Sequence, residues 1–310
     1  MLIFTVKRLG LMILTMIVVS ILVFLLLEVN VDGVAVKVLG PYTSDEQRHL
    51  WLEQNGYLEP LWFRYLDWLG RFVVGDFGES IRFKVPVGDV LWPRLVNTAI
   101  LGGFTYLFMI PIGLALGILA GMREGSWMDR TISVGSIITT SVPEFASAVL
   151  FAAIFVFGLG WLPGTSGMIG GWDWQQMILP VLVLVTYGFG YLTRMTRASM
   201  AEVMTSPYIR TAVLKGLPYR RVILGHALRN ALIAPFTVIM LQVNWLLSGV
   251  IVVEFFFAYK GFGALLLEAS LNSDIYVIEA CAMVAVVVAV STQMIADIGY
   301  TWLNPRIRFK

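Results

Sequence analysis

One cysteine, Cys281, stands among 310 residues, so no disulfide can close within the chain and redox chemistry is not its work. The only two histidines, His49 and His226, are separated by three long apolar runs. That puts them on opposite sides of any membrane those runs cross and prevents a shared metal. No Gly-x-x-x-x-Gly-Lys-Ser/Thr occurs, so the chain has no phosphate loop of its own. Neither Gly-x-Ser-x-Gly nor His-Glu-x-x-His is present, which removes the simplest signatures of a hydrolase. Charge is also scarce, at 14% of residues, and a net charge of +2 gives no basic surface for nucleic acid. These absences point to a conduit, with no catalytic residues and no metal or cofactor bound by this chain.

What the chain has instead is apolar length. Hydrophobic residues make up 58% of it and the mean hydropathy is +0.81, which is the composition of an integral membrane protein. Six stretches approach the roughly 20 residues that cross a bilayer. They are Leu9–Leu27, Ala99–Gly121, Ile132–Phe157, Met177–Leu192, Ala231–Val253 and Ile278–Ile298. The third is interrupted at Pro143-Glu144, and the fourth is short. The first is too long for a signal-peptide core and has no small-residue cleavage site after it, so it is expected to remain as a span. The fold class expected is all-α, with 1–310 forming a single six-span domain.

Basic residues set the orientation. With the N-terminus inside, 14 of the 22 Lys and Arg fall on the cytoplasmic side, and Glu124, Asp129 and Glu202 are the acids between spans there. Both termini are then cytoplasmic. Residues 30–97 form an outer segment with amphipathic helices. Ser44 and Gln47 have capping-box spacing, and Asn55-Gly56 can close the helix they start. Trp62, Phe63, Tyr65 and Trp68 then crowd around Arg64 and Asp67, a pattern suited to the membrane interface, to docking of an outer partner, or to both. Gly113, Gly117 and Gly121 recur every four residues and predict a face for close helix packing.

The cytoplasmic loop at 193–230 holds the most informative segment. Ser206 can cap a helix with Pro207 at its first position, Gly216 can end it in a left-handed conformation, and Pro218 stops it resuming. Tyr208, Ile209, Ala212 and Val213 share one arc of that helix, with Arg210, Thr211 and Lys215 opposite. So short a helix needs a surface to pack against. Pairing of its basic residues with anionic lipid explains the charges but leaves the apolar arc facing water.

Tyr208-Ile-Arg-Thr-Ala-Val-Leu-Lys-Gly-Leu-Pro, followed by His226-Ala-Leu-Arg-Asn-Ala-Leu, resembles the loop of permease subunits of bacterial ATP-binding-cassette importers. More narrowly, it is similar to the first, B-type subunit of the dipeptide, oligopeptide and nickel branch. Arg64-Tyr-Leu-Asp-Trp-Leu-Gly, Gly75-Asp-Phe-Gly-Glu-Ser, Leu159-Gly-Trp-Leu-Pro-Gly, Glu254, Phe257, Gly261-Phe-Gly, Asp274, Asp297-Ile-Gly-Tyr and Pro305-Arg-Ile-Arg extend the resemblance over nearly the whole chain. The chain departs from the general loop motif in having Arg210-Thr211 where Glu-Ala is usual.

The resemblance implies a type I importer permease fold in the bacterial inner membrane, forming half of a path for short peptides. Its implied partners are a homologous second permease, two cytoplasmic ATPase subunits that hold ATP and magnesium, an extracytoplasmic solute-binding protein, and membrane lipid. Tyr208, Ile209, Ala212 and Val213 would be anchors in an ATPase groove, with Arg210, Lys215 and Gly216 completing the coupling segment. Another small solute (a nickel chelate, glutathione or an oligosaccharide) is the alternative cargo, and an ion-driven secondary transporter the alternative class. Candidate pathway residues are Glu144, Tyr187, Gln242, Asn244 and Ser248, with Tyr191 beside them. Glu144 either lines the path, where it would attract a cationic substrate end, or is satisfied by Thr139, Thr140, Ser141 or a neighbouring helix. The others either line the path or bond between helices.

The asymmetry of charge makes the topology testable. With Cys281 replaced, single cysteines at Ser44 and Ser80 are expected to react with an impermeant thiol reagent outside sealed cells. Cysteines at Ser126 and Thr205 should react only once the inner face is opened; outside labelling at Thr205 reverses the orientation.

Overall fold

The computed structural model describes residues 2–303, apart from the side chains of residues 2–5, 244, 246–249, 297 and 300–303. Asn304 to Lys310, including the Pro305-Arg-Ile-Arg signature, lie outside the described residues, as do the Asp297 and Tyr300 side chains. The chain is helical throughout: α1 (Leu2–Glu28), α2 (Val31–Leu39), α3 (Asp45–Gln54), α4 (Leu61–Val73), α5 (Val87–Gly121), α6 (Trp127–Ser141), α7 (Glu144–Phe151), α8 (Trp174–Met204), α9 (Pro207–Leu214), α10 (Tyr219–Arg221), α11 (Leu228–Ala231), α12 (Ile233–Phe256), α13 (Phe262–Leu271) and α14 (Ile275–Leu303). Wider π turns continue α7 to Gly158 and join α10 to α11. Among the described residues four helices are long and apolar enough to cross a membrane, and six spans result when each of two bent pairs counts as one. In the first pair, α6 and α7 bend by 98° at the Pro143 break; in the second, the helix ending at Ala231 and α12 bend by 48°.

Two compact units divide the chain. The first comprises Met1–Asn97 with Gly261–Ser291. Here the expected caps form. The Ser44 hydroxyl accepts from the Gln47 amide while the Gln47 side chain accepts from the Ser44 amide, and Gly56 closes α3 at φ +73°. Asn30 caps α2 through the Gly33 amide. Two signature segments far apart in sequence meet at Asp274, whose carboxylate accepts from the Ser80 hydroxyl and the Arg82 amide. Ser80 is therefore buried, which corrects it as an outer labelling position; Ser44 is exposed and retains that use. On α4, Arg64 pairs with Glu28 at 2.5 Å and lies over the Tyr57 ring. Burial and the neighbouring Glu28 charge push the Tyr57 phenol above its ordinary value, so it stays protonated and donates to Glu28 at 2.9 Å. Trp62 and Phe63 remain exposed, as an interfacial helix requires.

The second unit comprises Thr98–Lys260 with Thr292–Lys310 and is built around α8, which packs on α6, α7 and α12. The glycine stripe of α5 does what its spacing predicts. A Cβ at Gly113 would stand 2.9 Å from Leu192 Cγ, one at Gly117 2.7 Å from the Thr193 carbonyl oxygen, and one at Gly121 2.7 Å from the Arg197 carbonyl oxygen. The partner advances by about four residues with each glycine, so α5 and α8 run parallel in a fixed register at backbone distance. From α8 itself, Gly190 gives the same closeness to α6, with the Ser136 carbonyl oxygen 2.7 Å from a Cβ placed there.

Overpacking such a contact costs about 1–3 kcal/mol. Gly117→Ala should therefore lower the melting temperature of the detergent-solubilised protein, whereas Gly103→Ala, with open space around it, should not. Equal melting of the two variants refutes the backbone-distance contact.

Candidate functional site

At the C-terminal end of α8 the chain builds a clamp and then a short helix. Ser126 caps α6 by accepting from the Asp129 amide. The buried Asp129 carboxylate accepts from the Gly125 amide at 2.9 Å and takes Arg197 of α8 in a two-pronged pair at 3.0 and 2.8 Å. Glu124 adds a second, more exposed carboxylate to the same guanidinium at 3.3 Å. Two planar groups joined this way fix orientation as well as distance. The end of α8, and hence the start of α9, is held against the α5–α6 turn.

α9 has the boundaries expected of it. Pro207 occupies its first position and Gly216 follows at φ +75°, a conformation that costs glycine little and other residues more. The Ser206 hydroxyl does not cap; it donates to the Val203 carbonyl instead.

The structure separates the four residues expected to form one anchor face. Ile209 and Ala212, at 2% and 5% exposure, lie in a cluster of the chain's own residues with Met200, Val222, Ile223, Ala227 and Ala231. Burying the Ile209 side chain contributes roughly 1.5–3 kcal/mol and supplies the surface that so short a helix needs. These two are corrected: their apolar surface is already used internally. Tyr208 and Val213 flank them and stay outside, at 41% and 52% exposure. Asn230 donates to the Tyr208 hydroxyl at 2.8 Å, fixing that ring. Arg210, Thr211, Lys215 and Gly216 are exposed. Leu214, at 79% exposure, is the residue the sequence reading missed. Its signal was present: an apolar side chain on the polar arc, between Arg210 and Thr211. The outward side of α9 thus carries Leu214 among Arg210, Thr211 and Lys215, with Tyr208 and Val213 bordering the buried arc.

Residues of this kind are matched by the family of binding-protein-dependent transport system inner membrane components, over residues 113–309. The chain belongs to that family. The permease is 34% identical over 310 residues, the whole of both chains, to the glutathione transport system permease protein GsiC of Escherichia coli (strain K12). It is 33% identical over 299 residues, 94% of each chain, to the oligopeptide transport system permease protein AppB of Bacillus subtilis (strain 168). It is therefore an importer permease of the peptide and nickel branch, a multi-pass inner-membrane transport component and not an enzyme.

Of the permease's candidate pathway residues, Glu144 starts α7 just after the 98° bend, half-buried and without a hydrogen bond or ion pair among the described residues. The hydroxyls of Thr139, Thr140 and Ser141, weighed as its partners, bond to carbonyls of their own helix. Tyr187 stacks on Trp245 at 5.1 Å, and Tyr191 lies beside Arg194. Gln242 is buried and donates to the Gly188 carbonyl at 3.3 Å, while its side-chain oxygen has no partner. The Asn244 and Ser248 side chains lie outside the described residues. Among the described residues no three His, Cys, Asp or Glu side chains gather to hold a metal ion.

Glu144→Gln keeps the shape and removes the charge. It should reduce uptake severalfold while leaving membrane abundance and complex assembly unchanged; an unaltered uptake rate removes Glu144 from the path.

Proposed function

We propose that this permease forms one half of the translocation path of an ATP-driven importer for short peptides, paired with a homologous permease and driven by two cytoplasmic ATPase subunits. A solute-binding protein delivers the peptide at the outer face, both termini are cytoplasmic, and ATP with magnesium is held by the ATPases. The observation that carries the reading is the outward face of α9. Exposed Tyr208, Val213 and Leu214 lie on a helix whose opposite side is fixed to the chain's own core, which suits insertion into a groove of a partner. Arg210 and Lys215 lie among them on the exposed side. Closure of the ATPases would displace α9 together with the cluster beneath it, and so tilt the spans between inward-open and outward-open states. A second cargo reading, glutathione, is favoured by the full-length similarity to GsiC. Glutathione is itself a short peptide, so one path suits both.

The test separates outward from inward residues. Leu214→Asp should abolish co-purification of the ATPases, or uncouple ligand-stimulated ATP hydrolysis in reconstituted vesicles, with the permease itself stable. Ala212→Asp should instead destabilise the permease by several kcal/mol, since it buries an unpaired carboxylate in the Met200–Ile223 cluster. Wild-type uptake by Leu214→Asp would sink the coupling role and bring an ion-driven mechanism forward. Competition of labelled dipeptide uptake by glutathione decides the cargo.

A further inference from the structure

The first unit contains a cavity of about 170 Å³ lined by none of the candidate pathway residues. Its walls come from the end of α1, the α3–α4 turn, α4, and the first turns of α14. They include aromatic rings, Phe24, Tyr57, Trp68 and Tyr276 among them, and five carboxylates, of which Glu28 and Glu279 are buried. The two acids are not equivalent. Glu28 is neutralised by Arg64 at 2.5 Å and receives the Tyr57 hydroxyl. The other basic residue of the wall, Arg71, pairs with Asp67.

Glu279 is left over. At 2% exposure it accepts one hydrogen bond, from the Trp68 indole at 2.8 Å, and among the described residues it has no ion pair and its second oxygen has no partner. A buried carboxylate without a compensating charge is expensive. The same rings already accept a cation, since the Arg64 guanidinium carbon lies 4.5 Å from the Tyr57 centroid and 5.6 Å from that of Phe24.

We propose that this cavity is a binding site for a primary ammonium group, with Glu279 as its counter-charge and the surrounding rings as its walls. The ammonium would come either from an aminophospholipid headgroup, since α4 is an interfacial helix, or from the amino terminus of a peptide. The site is independent of which solute the importer carries.

The test uses the full-length chain in phosphatidylglycerol nanodiscs, which contain no amine, and n-butylamine as the probe in calorimetric titration. Saturable binding of n-butylamine, with 1-butanol not binding, is the result expected; equal binding of the neutral alcohol, or no binding of the amine, overturns the proposal. Glu279→Gln keeps the Trp68 bond and should weaken the amine about tenfold or more, the factor that loss of one charged hydrogen bond implies. Unchanged affinity in a folded Glu279→Gln also overturns it, and should that variant fail to fold, the amine–alcohol comparison in the wild type decides alone. Phosphatidylethanolamine displacing n-butylamine identifies the lipid source. Ala-Ala displacing it where N-acetyl-Ala-Ala does not identifies the peptide source. If neither competes, the amine binds at laboratory concentration only and the proposal falls.

Discussion

The contact on which the second unit depends is the backbone approach of α5 to α8. In a membrane, helices gain nothing by hiding apolar side chains from lipid that is equally apolar, so close van der Waals packing must hold them together. Glycine at 113, 117 and 121 lets the α8 backbone lie where side chains would otherwise stand. Once that register is fixed, Arg197 arrives opposite Asp129 and the end of α8 is pinned. α9 follows after two residues, with no free length in which its direction could be lost. The orientation of the outward side of α9 is thus set by three residues that have no side chain.

Much of this was legible in the chain. The caps at Ser44 and Gly56, the boundaries of α9 at Pro207 and Gly216, and the glycine stripe are local patterns with local causes, and each formed as its chemistry dictates. The misreading of α9 had a different origin. A helical wheel shows which arc is apolar but cannot say what covers it, and Ile209 and Ala212 are covered by Val222, Ile223 and Ala227 further along the same loop. Only the return of the chain beneath α9 reveals that the centre of the arc is spent internally and its flanks are free.

Polar residues in the spans were the least legible, because their roles depend on partners from other elements. Thr139, Thr140 and Ser141 look like company for Glu144 by proximity in sequence, yet each hydroxyl turns back to its own helix. Glu279 attracted no attention as one acid in an apolar run. Its meaning came from Trp68, more than 200 residues away, and from Arg64 being already committed to Glu28. Asp274 and Ser80 were noticed separately as signatures, and the bond between them is what makes both necessary.

The cluster under α9 has a mechanical consequence. Ile209 and Ala212 are seated against Val222, Ile223, Ala227 and Ala231, the residues that lead directly into α12. A displacement of α9 would therefore bear on the foot of α12 through these packed side chains, while Asp129 and Arg197 tie the end of α8 to the α5–α6 turn. A stiff arm of this kind, set on one helix beside an anchored neighbour, would turn a small displacement of α9 into a tilt of α12.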